Sequence, residues 1–210
     1  MRILVTAGPT QEPVDSVRFI TNASTGKMGF AVASRALSRG HDVCVVFGPT
    51  HVPPLEGVKA IGVRTAEEMT EACLGELESG YDAFVCAAAI ADYTPASVEK
   101  GKIKSGREMT LTLKPTRKLT KASREKFRDL VIVGFKAEYD VSEDELIESA
   151  RKKLVGDSLN VIVANDIGKH VFGSNDTEVF FVGEAGLLER MEGSKGDIAE
   201  RIVSIIEGLK

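Results

Sequence analysis

The stretch ILVTAGPT at residues 3–10 begins with three consecutive apolar side chains and then turns at Gly8-Pro9. A short apolar run bounded by a turn is typical of a buried β-strand. A polar connection follows, and RFITNASTGKMG at residues 18–29 leads into a helical pattern over 27–39. A strand, a connection and a helix in this order predict the first unit of a parallel α/β sheet.

The start of this predicted helix carries small hydroxyl residues, a glycine and a lysine, namely Ser24, Thr25, Gly26 and Lys27. Unpaired N–H groups and the positive end of the helix dipole attract anions there. Structural connections usually have about 2–6 residues, and longer ones are often functional. We expect a phosphate or carboxylate to bind here. The alternative is an ordinary helix start capped by Ser24 or Thr25.

Two common phosphate-binding motifs are excluded by the residues at these positions. A Walker A loop requires Ser or Thr after its lysine, and Met28 follows Lys27. A dinucleotide fingerprint requires G-x-G-x-x-G directly after the strand, and residues 8–10 read Gly-Pro-Thr. The anion site therefore belongs to a different class.

Composition limits the classes of function. The chain has 210 residues, 43% of them hydrophobic and 28% charged, with a net charge of −4. These values predict one globular domain over residues 1–210, with no basic face for nucleic acid and no membrane-spanning run. The cysteines form no CxxC pair and suit buried thiols in a reducing cytoplasm: Cys44, Cys73 and Cys86. The dispersed histidines predict no metal cluster: His41, His51 and His170.

Strand-like and helical patterns alternate along the chain. Strands are predicted at 2–6, 42–47, 58–63, 82–88, 131–137, 160–164 and 178–182. Helices are predicted at 27–39, 66–79, 117–128, 142–155 and 195–209. This alternation predicts a Rossmann-like, doubly wound α/β fold with a mostly parallel sheet and helices on both faces.

One segment, residues 93–115, interrupts the alternation. It contains a basic run with two interspersed glycines, followed by an alternating stretch at 110–113, and predicts a hairpin or flap projecting from the carboxyl edge of the sheet. We expect the flap to be mobile without a ligand, with Gly101 and Gly106 as hinges. The alternating strand is expected to pair with a second copy of the chain. The alternative is a solvated basic loop.

Ligands of doubly wound sheets bind outside the carboxyl ends of the strands, near the point where the strand order reverses. The strands at 2–6 and 82–88 are both expected to end there. Small residues after the second strand allow close approach of a ligand, and Asp92 can accept hydrogen bonds from ribose hydroxyls or a base. The alternative for Asp92 is a turn or helix-cap residue.

Six motifs occur in a characteristic order: TAGPTxEP at 6–13, RFITN at 18–22, STGKMG at 24–29, AAxxADY at 87–93, KIK at 102–104 and VAND at 163–166. Together they resemble the phosphopantothenate–cysteine ligases of coenzyme A biosynthesis, over essentially the whole chain. The resemblance implies that 4′-phosphopantothenate and L-cysteine are joined through an acyl-nucleotide, with release of pyrophosphate and a nucleoside monophosphate.

The resemblance also implies roles for individual residues. Asn22 and Lys102 would be catalytic, Asn22 at the reacting carboxylate and Lys102 at the nucleotide phosphates and the amide-forming step. Further substrate contacts would come from Arg18, Ala23, Ser24, Thr25, Gly26 and Lys27. Further nucleotide contacts would come from Gly8, Cys86, Ala87, Ala88, Asp92, Thr116, Arg117, Lys118, Leu119, Phe135 and Lys153.

The chain departs from the family pattern at two places. The nucleotide loop reads KPTRKL at 114–119, where relatives often have Lys-Asn-Pro-Asp-Ile, and Asp157 stands where a basic residue is common. Either Lys152 replaces that basic residue or the contact is missing.

The resemblance further implies CTP as co-substrate, with ATP as the alternative, and Mg²⁺ held by the nucleotide phosphates with no protein ligand assigned. It implies a cytoplasmic homodimer. A flavin-dependent decarboxylase would be fused or separate, so the chain would be a stand-alone ligase or an excised domain.

The classes that compete with a ligase are a short-chain reductase and a non-catalytic nucleotide-binding module. The reductase needs a Tyr shortly before a Lys, which Tyr81, Tyr93 and Tyr139 all lack.

Overall fold

A computed structural model describes residues 1–168 and 176–210, so His170 lies outside the described residues. The elements in chain order are β1 (Arg2–Ala7), β2 (Gln11–Pro13), β3 (Phe19–Thr21), α1 (Lys27–Ser38), β4 (Asp42–Phe47), β5 (Lys59–Gly62), α2 (Ala66–Leu77), β6 (Ala83–Cys86), β7 (Tyr93–Pro95), β8 (Leu113–Pro115), α3 (Leu119–Lys126), β9 (Val131–Glu138), α4 (Glu143–Asp157), β10 (Val161–Asp166), β11 (Asp176–Gly183), β12 (Gly186–Ser194) and α5 (Lys195–Gly208).

The main sheet has eight strands in the order β12-β11-β10-β9-β6-β1-β4-β5. The strands from β10 to β5 are mutually parallel, and β11 pairs antiparallel with both of its neighbours. The chain runs outward from β1 through β4 to β5 and then returns to β6 on the other side of β1. The strand order therefore reverses between β1 and β6. The predicted doubly wound α/β fold is confirmed.

The helices cover both faces of this sheet. On one face, α1 and α5 pack against alternate strand residues such as Val5, Val85 and Val133. On the other face, α2, α3 and α4 pack against the intervening residues, including Leu4 and Phe84. The central strands are consequently buried on both sides, which explains their near-continuous apolar sequences.

Three local features differ from the sequence-based expectations. The connection after β1 contains a hairpin of β2 and β3, because two three-residue strands pair across a turn. The strand expected at 110–113 begins at Leu113 and pairs with β7 of the same chain, so part of its edge is already covered. The edge strand β12 was not predicted, since its exposed leucines and charged residues lack a clear strand pattern.

Two findings concern membrane-spanning segments and the cysteine thiols. Across residues 1–168 and 176–210, no helix combines the length and the apolar character needed to span a bilayer. The thiols of Cys44, Cys73 and Cys86 are buried and form no disulfide within the same described ranges.

Candidate functional site

The segments that follow β1 and β6 are joined directly beyond the carboxyl ends of these strands. Pro9 and Ala89 form an isolated parallel bridge. The Ala89 amide donates to the Gly8 carbonyl at 2.9 Å, and the Ala91 amide donates to the hydroxyl of buried Thr10 at 3.0 Å. Both loops are therefore fixed at the point where the strand order reverses.

Glycines bring the start of α1 against the end of β1. A Cβ added to Gly29 would stand 2.6 Å from the Thr6 carbonyl oxygen. Gly26 has a φ of +78°, and a Cβ there would stand 3.0 Å from the Gly8 nitrogen. Larger residues would push the helix away from the strand end. Gly8, expected at the nucleotide, supports the helix start and does not line the pocket.

The first turn of α1 is open to a ligand. Its N-cap residue is Gly26, and no side chain of the described residues caps the helix. The Ser24 hydroxyl accepts the Gly26 amide at 3.3 Å, but this amide precedes the first residue of the helix. The alternative of an ordinary Ser24 or Thr25 cap is therefore excluded. The start of α3 at Lys118 also lacks a side-chain cap from the described part of the chain.

Both uncapped helix starts line one pocket of about 580 Å³ at the carboxyl edge of the sheet. The pocket brings together most of the residues expected in the site: Asn22, Ala23, Ser24, Thr25, Gly26, Lys27, Cys86, Ala87, Ala88, Asp92, Thr116, Arg117, Lys118, Leu119, Phe135 and Lys153. Among the described residues, six basic side chains and one carboxylate, that of Asp92, belong to its lining. A chain of net charge −4 thus builds a cationic pocket, which favours an anionic ligand.

Asn22 lies one residue beyond β3, at the rim of this pocket. Its side-chain amide donates to the carbonyls of Ala89 and Ile90 at 3.2 and 3.4 Å. The first bond is at the long end of the normal range, and the second lies beyond it. Its side chain therefore connects the β3 end to the loop after β6, and its donors are held by weak, exchangeable contacts.

The opposite wall is built by the loop before α3 and by α4. The Thr116 hydroxyl donates to the Ala91 carbonyl at 2.6 Å, and Lys118 pairs with Asp92. Thus Asp92 belongs to this wall and not to a helix cap. On α4, Lys153 pairs with Asp157 at 2.9 Å.

Asp157 also accepts a hydrogen bond from the Thr120 hydroxyl at 2.7 Å, so it links α4 to the start of α3. Lys152 pairs with Glu148 on the outer face of α4, with its side chain 74% exposed. It does not belong to the pocket lining. Lys152 therefore does not take the place of the missing basic residue.

The thiol of Cys86 forms part of the pocket wall. Burial raises its pKa to about 11, although a hydrogen bond with Thr6 acts in the opposite direction. The thiol is therefore neutral near pH 7, and we assign it no nucleophilic role.

Sequence reasoning missed several lining residues, among them Lys136, Asn165, Thr177 and Lys195. Burial lowers the pKa of Lys195, and the nearby charge of Lys27 lowers it further. Two helix-start lysines therefore approach each other at one side of the pocket. The S-K-G-D sequence at 194–197 predicts a helix start, but without β12 its position at this edge was not apparent.

Besides Gly8, two residues expected in the site lie outside the pocket lining, namely Arg18 and Lys102. Arg18 is in the turn between β2 and β3, where it pairs with Asp15 at 2.9 Å. Lys102 is in the long segment between β7 and β8. The turn and the flap lie beside each other, since the second guanidinium nitrogen of Arg18 donates to the Ile103 carbonyl at 3.2 Å.

The chain is similar in sequence and in structure to known proteins. The chain is 43% identical over 209 residues to the coenzyme A biosynthesis bifunctional protein CoaBC of Thermococcus kodakarensis, covering 98% of this chain and 51% of that protein. It spans about half the length of the curated relatives it matches. A crystal structure of the C-terminal domain of CoaBC superimposes with a TM-score of 0.81 at 34% identity, covering 99% and 94% of the two chains.

A second solved structure, the DNA/pantothenate metabolism flavoprotein from Streptococcus pneumoniae, covers 100% of both chains with a TM-score of 0.88 and 28% identity. The family described as the DNA/pantothenate metabolism flavoprotein C-terminal domain matches residues 1–209. These matches confirm the resemblance drawn from the sequence motifs. The chain therefore belongs to the family of the DNA/pantothenate metabolism flavoprotein C-terminal domain.

Proposed function

We propose that this chain is a nucleotide-dependent phosphopantothenate–cysteine ligase. The observation that carries the proposal is the cationic pocket, in which the uncapped starts of α1 and α3 face the loop after β6. A substrate with a carboxylate and a phosphate, together with a nucleoside triphosphate, needs such a concentration of N–H donors and cations. The family membership and the names of the curated relatives support the same activity.

The reaction has two steps. The carboxylate oxygen of 4′-phosphopantothenate attacks the α-phosphorus of the nucleotide, and pyrophosphate leaves. The cysteine amine then attacks the acyl carbon of the acyl-nucleotide, loses a proton and expels the nucleoside monophosphate. Because charge develops on the acyl oxygen and the phosphates, positioned donors and cations supply most of the catalysis.

Asn22 is the proposed donor to the reacting carboxylate. Its amide is at present shared between two backbone carbonyls at 3.2 and 3.4 Å, so a charged oxygen at the rim can replace them. Ala23, Ser24, Thr25, Gly26 and Lys27 continue from Asn22 into the open helix start. This continuous segment suits a substrate with an anionic group at its end.

The nucleotide is proposed to occupy the other half of the pocket. The strand end at Cys86, Ala87 and Ala88 and the side chain of Asp92 would contact the nucleoside. Two further groups would complete the subsite, the loop from Thr116 to Leu119 and the pair Phe135 and Lys153. Lys102, from the flap, would contact the phosphates and assist the second step.

CTP is the proposed co-substrate, with ATP as the alternative, because the short Lys-Ile-Lys flap is similar to that of CTP-dependent members. Bound Mg²⁺ would neutralise phosphate charge. The described residues include no cluster of three or more His, Cys, Asp or Glu side chains fit to hold a metal. The nucleotide phosphates would therefore supply its ligands.

A cytoplasmic homodimer is also proposed. Val98, Met109, Leu111 and Leu113 of the flap are 38–50% exposed, and such apolar side chains suit an interface. A flavin-dependent decarboxylase, fused or separate, is the proposed functional partner, because the curated relatives are named as bifunctional and are about twice as long. Light scattering at micromolar concentration tests the dimer, and a monomeric mass would contradict it.

The activity is tested by incubating the protein with phosphopantothenate, cysteine, Mg²⁺ and either CTP or ATP. Pyrophosphate is expected when phosphopantothenate and a nucleotide are both present, with faster release from CTP. Equal turnover with ATP would contradict the nucleotide preference. Absence of pyrophosphate with both nucleotides would contradict the ligase, and tight CTP binding without turnover would favour a non-catalytic binding module.

A further inference from the structure

A buried carboxylate joins the β2–β3 turn to the flap. Asp15 is 4% exposed. One of its oxygens accepts the amides of Val17 and Arg18, both at 2.7 Å. The other accepts the Arg18 guanidinium at 2.9 Å and the amide of Ile103 at 3.0 Å. This single side chain thus links segments 88 residues apart in sequence.

The contact holds the peptide groups on both sides of Lys102. Arg18, itself paired with Asp15, donates to the Ile103 carbonyl at 3.2 Å. The amide of Gly101 donates to the Ser16 hydroxyl at 3.0 Å, and the Ser16 amide donates to the Gly101 carbonyl at 3.2 Å. We call the contacts of residues 14–18 with 99–103 the latch. Lys102 is the central residue between its two held neighbours.

The part of the flap between the latch and β8 lacks comparable support. Within the described structure, residues 104–111 make no hydrogen bond or ion pair. A hinge at Gly101 is at odds with this arrangement, because Ser16 holds both of its peptide groups. Flap motion is therefore expected beyond Ile103. The pKa of Asp15 is lowered, chiefly by the Ile103 amide, so the latch carboxylate stays ionised at neutral pH.

We propose that Asp15 is a positioning residue that acts through the backbone of Ile103 to set Lys102 for the reaction. The hairpin that carries Asp15 also ends in Asn22, so the latch places the carboxylate-binding and phosphate-binding groups in one rigid frame. The inference rests on the proposed ligase function and on the role proposed for Lys102. It also gives Arg18 a role in holding the flap.

A double-mutant cycle with Asp15→Asn and Lys102→Gln tests this coupling, with single-turnover amide formation as the readout. Asp15→Asn keeps the shape but removes the charge that holds Arg18 and Ile103. We expect amide formation to slow on the order of 10- to 100-fold, as for a misplaced catalytic group. In the Lys102→Gln background the same change should have no further effect. Equal effects in both backgrounds would overturn the proposal.

Glu12→Gln is the matched control. Glu12 is a buried carboxylate in the same hairpin, but it accepts the Ala66 amide of α2 at 2.9 Å and lies outside the latch. Its effect should be the same in both Lys102 backgrounds. Any effect of loosening the hairpin alone is measured by this variant.

Limited proteolysis of residues 100–108 separates the latch from the reaction. Cleavage should be faster in Asp15→Asn and unchanged in Glu12→Gln. If Asp15→Asn is cleaved at the same rate as the wild type, the latch proposal is overturned even if the ligase activity is confirmed. If the wild-type protein has no ligase activity, the ligase proposal is overturned, but the cleavage rates still test the latch. If Asp15→Asn fails to fold, Ser16→Ala removes the acceptor of Gly101 alone and should show the same changes at smaller size.

Discussion

The helix starts of this protein fall into two groups. Of the five helices that the structure describes, α2, α4 and α5 begin with capping boxes, formed by Thr65 with Glu68, Ser142 with Glu145 and Ser194 with Asp197. The starts of α1 and α3 have no side-chain cap among the same residues, and both line the pocket. The backbone donors of the first group are used within the protein, whereas those of the second are available to a ligand.

This difference separates stability from function along the same edge of the sheet. A cap at α1 or α3 would stabilise its helix but occupy the donors that an anion needs. The sequences at these starts, Gly26 and Lys118, supply no hydroxyl or carboxylate cap. Substitutions at the two groups should therefore affect different measurements.

The largest effect is expected at the pocket rim. Asn22→Ala should lower product formation on the order of 10²-fold or more, because it removes an oxyanion-type donor. The fold should persist, since the side chain is exposed and its bonds are long. Product formation and circular dichroism check both parts.

Asn160→Ala is the control for this variant. Its side chain accepts the Ile132 amide at 2.8 Å at the opposite edge of the sheet. It should lower stability and leave the reaction rate of the folded protein unchanged. Full activity of Asn22→Ala would show that Asn22 only shapes its loop.

A cap introduced at the start of α3 should give this helix the properties of the capped helices α2, α4 and α5. Lys118 has an extended backbone, φ −80° and ψ 104°, which suits a capping serine. Lys118→Ser should raise the melting temperature and weaken nucleotide binding about tenfold through loss of a cation at the pocket. Calorimetric titration with CTP and thermal unfolding measure the two effects.

Lys121→Ser provides the comparison on the same helix, because Lys121 is exposed and lies outside the pocket lining. It should leave CTP affinity unchanged. An equal loss of affinity in the two variants would mean that general charge, and not the position at the helix start, governs binding.

Removing the natural cap of α4 should lower stability without affecting nucleotide binding. Ser142→Ala deletes the hydroxyl that accepts the Glu145 amide at 3.3 Å. The free energy of unfolding should fall by about 1 kcal/mol, with nucleotide affinity unchanged. Urea unfolding and CTP titration measure these, and weakened CTP binding would contradict the separation of the two groups.

The smallest effect concerns acid. The side-chain and backbone donors of Ser142 hold the pKa of Glu145 below its ordinary value of 4.5. Because the folded-state pKa is lowered, this box stabilises the protein above pH 4.5 and loses its contribution as the pH falls through the lowered value. The difference in melting temperature between the wild type and Glu145→Gln should therefore shrink between pH 6 and pH 3. If the difference in melting temperature stayed constant over this pH range, packing and not the charge of Glu145 would be its cause.

Much of the fold followed from local pattern. The apolar runs of β1, β4, β6, β9 and β10 and the periodic helices between them predicted the parallel sheet and its reversal point. The hairpin of β2 and β3 did not follow, because the strands have three residues each and the Gln11 amide bonds to the distant Arg64 carbonyl at 2.8 Å. The edge strand β12 was also missed, since pairing with β11 stabilises it more than its own sequence pattern does.

The candidate site shows the same division. Residues carried by continuous motifs, such as Asn22 to Lys27 and Cys86 to Ala88, were identified from sequence because their neighbours along the chain are also their neighbours in space. Lys195 and Lys136 were not, since each reaches the pocket from a strand end or helix start that lies far away in sequence.

The sequence by itself determined the fold class and the family and predicted an anionic ligand, because hydrophobic periodicity and ordered motifs are local properties. The tertiary structure alone decided which helix starts remain uncapped, that the basic residues converge on one pocket, and that Asp15 holds the flap beside Lys102. These features depend on contacts between residues that are distant in sequence, such as Asp15 and Ile103, which are 88 positions apart. Chain packing, and not local propensity, decides such contacts.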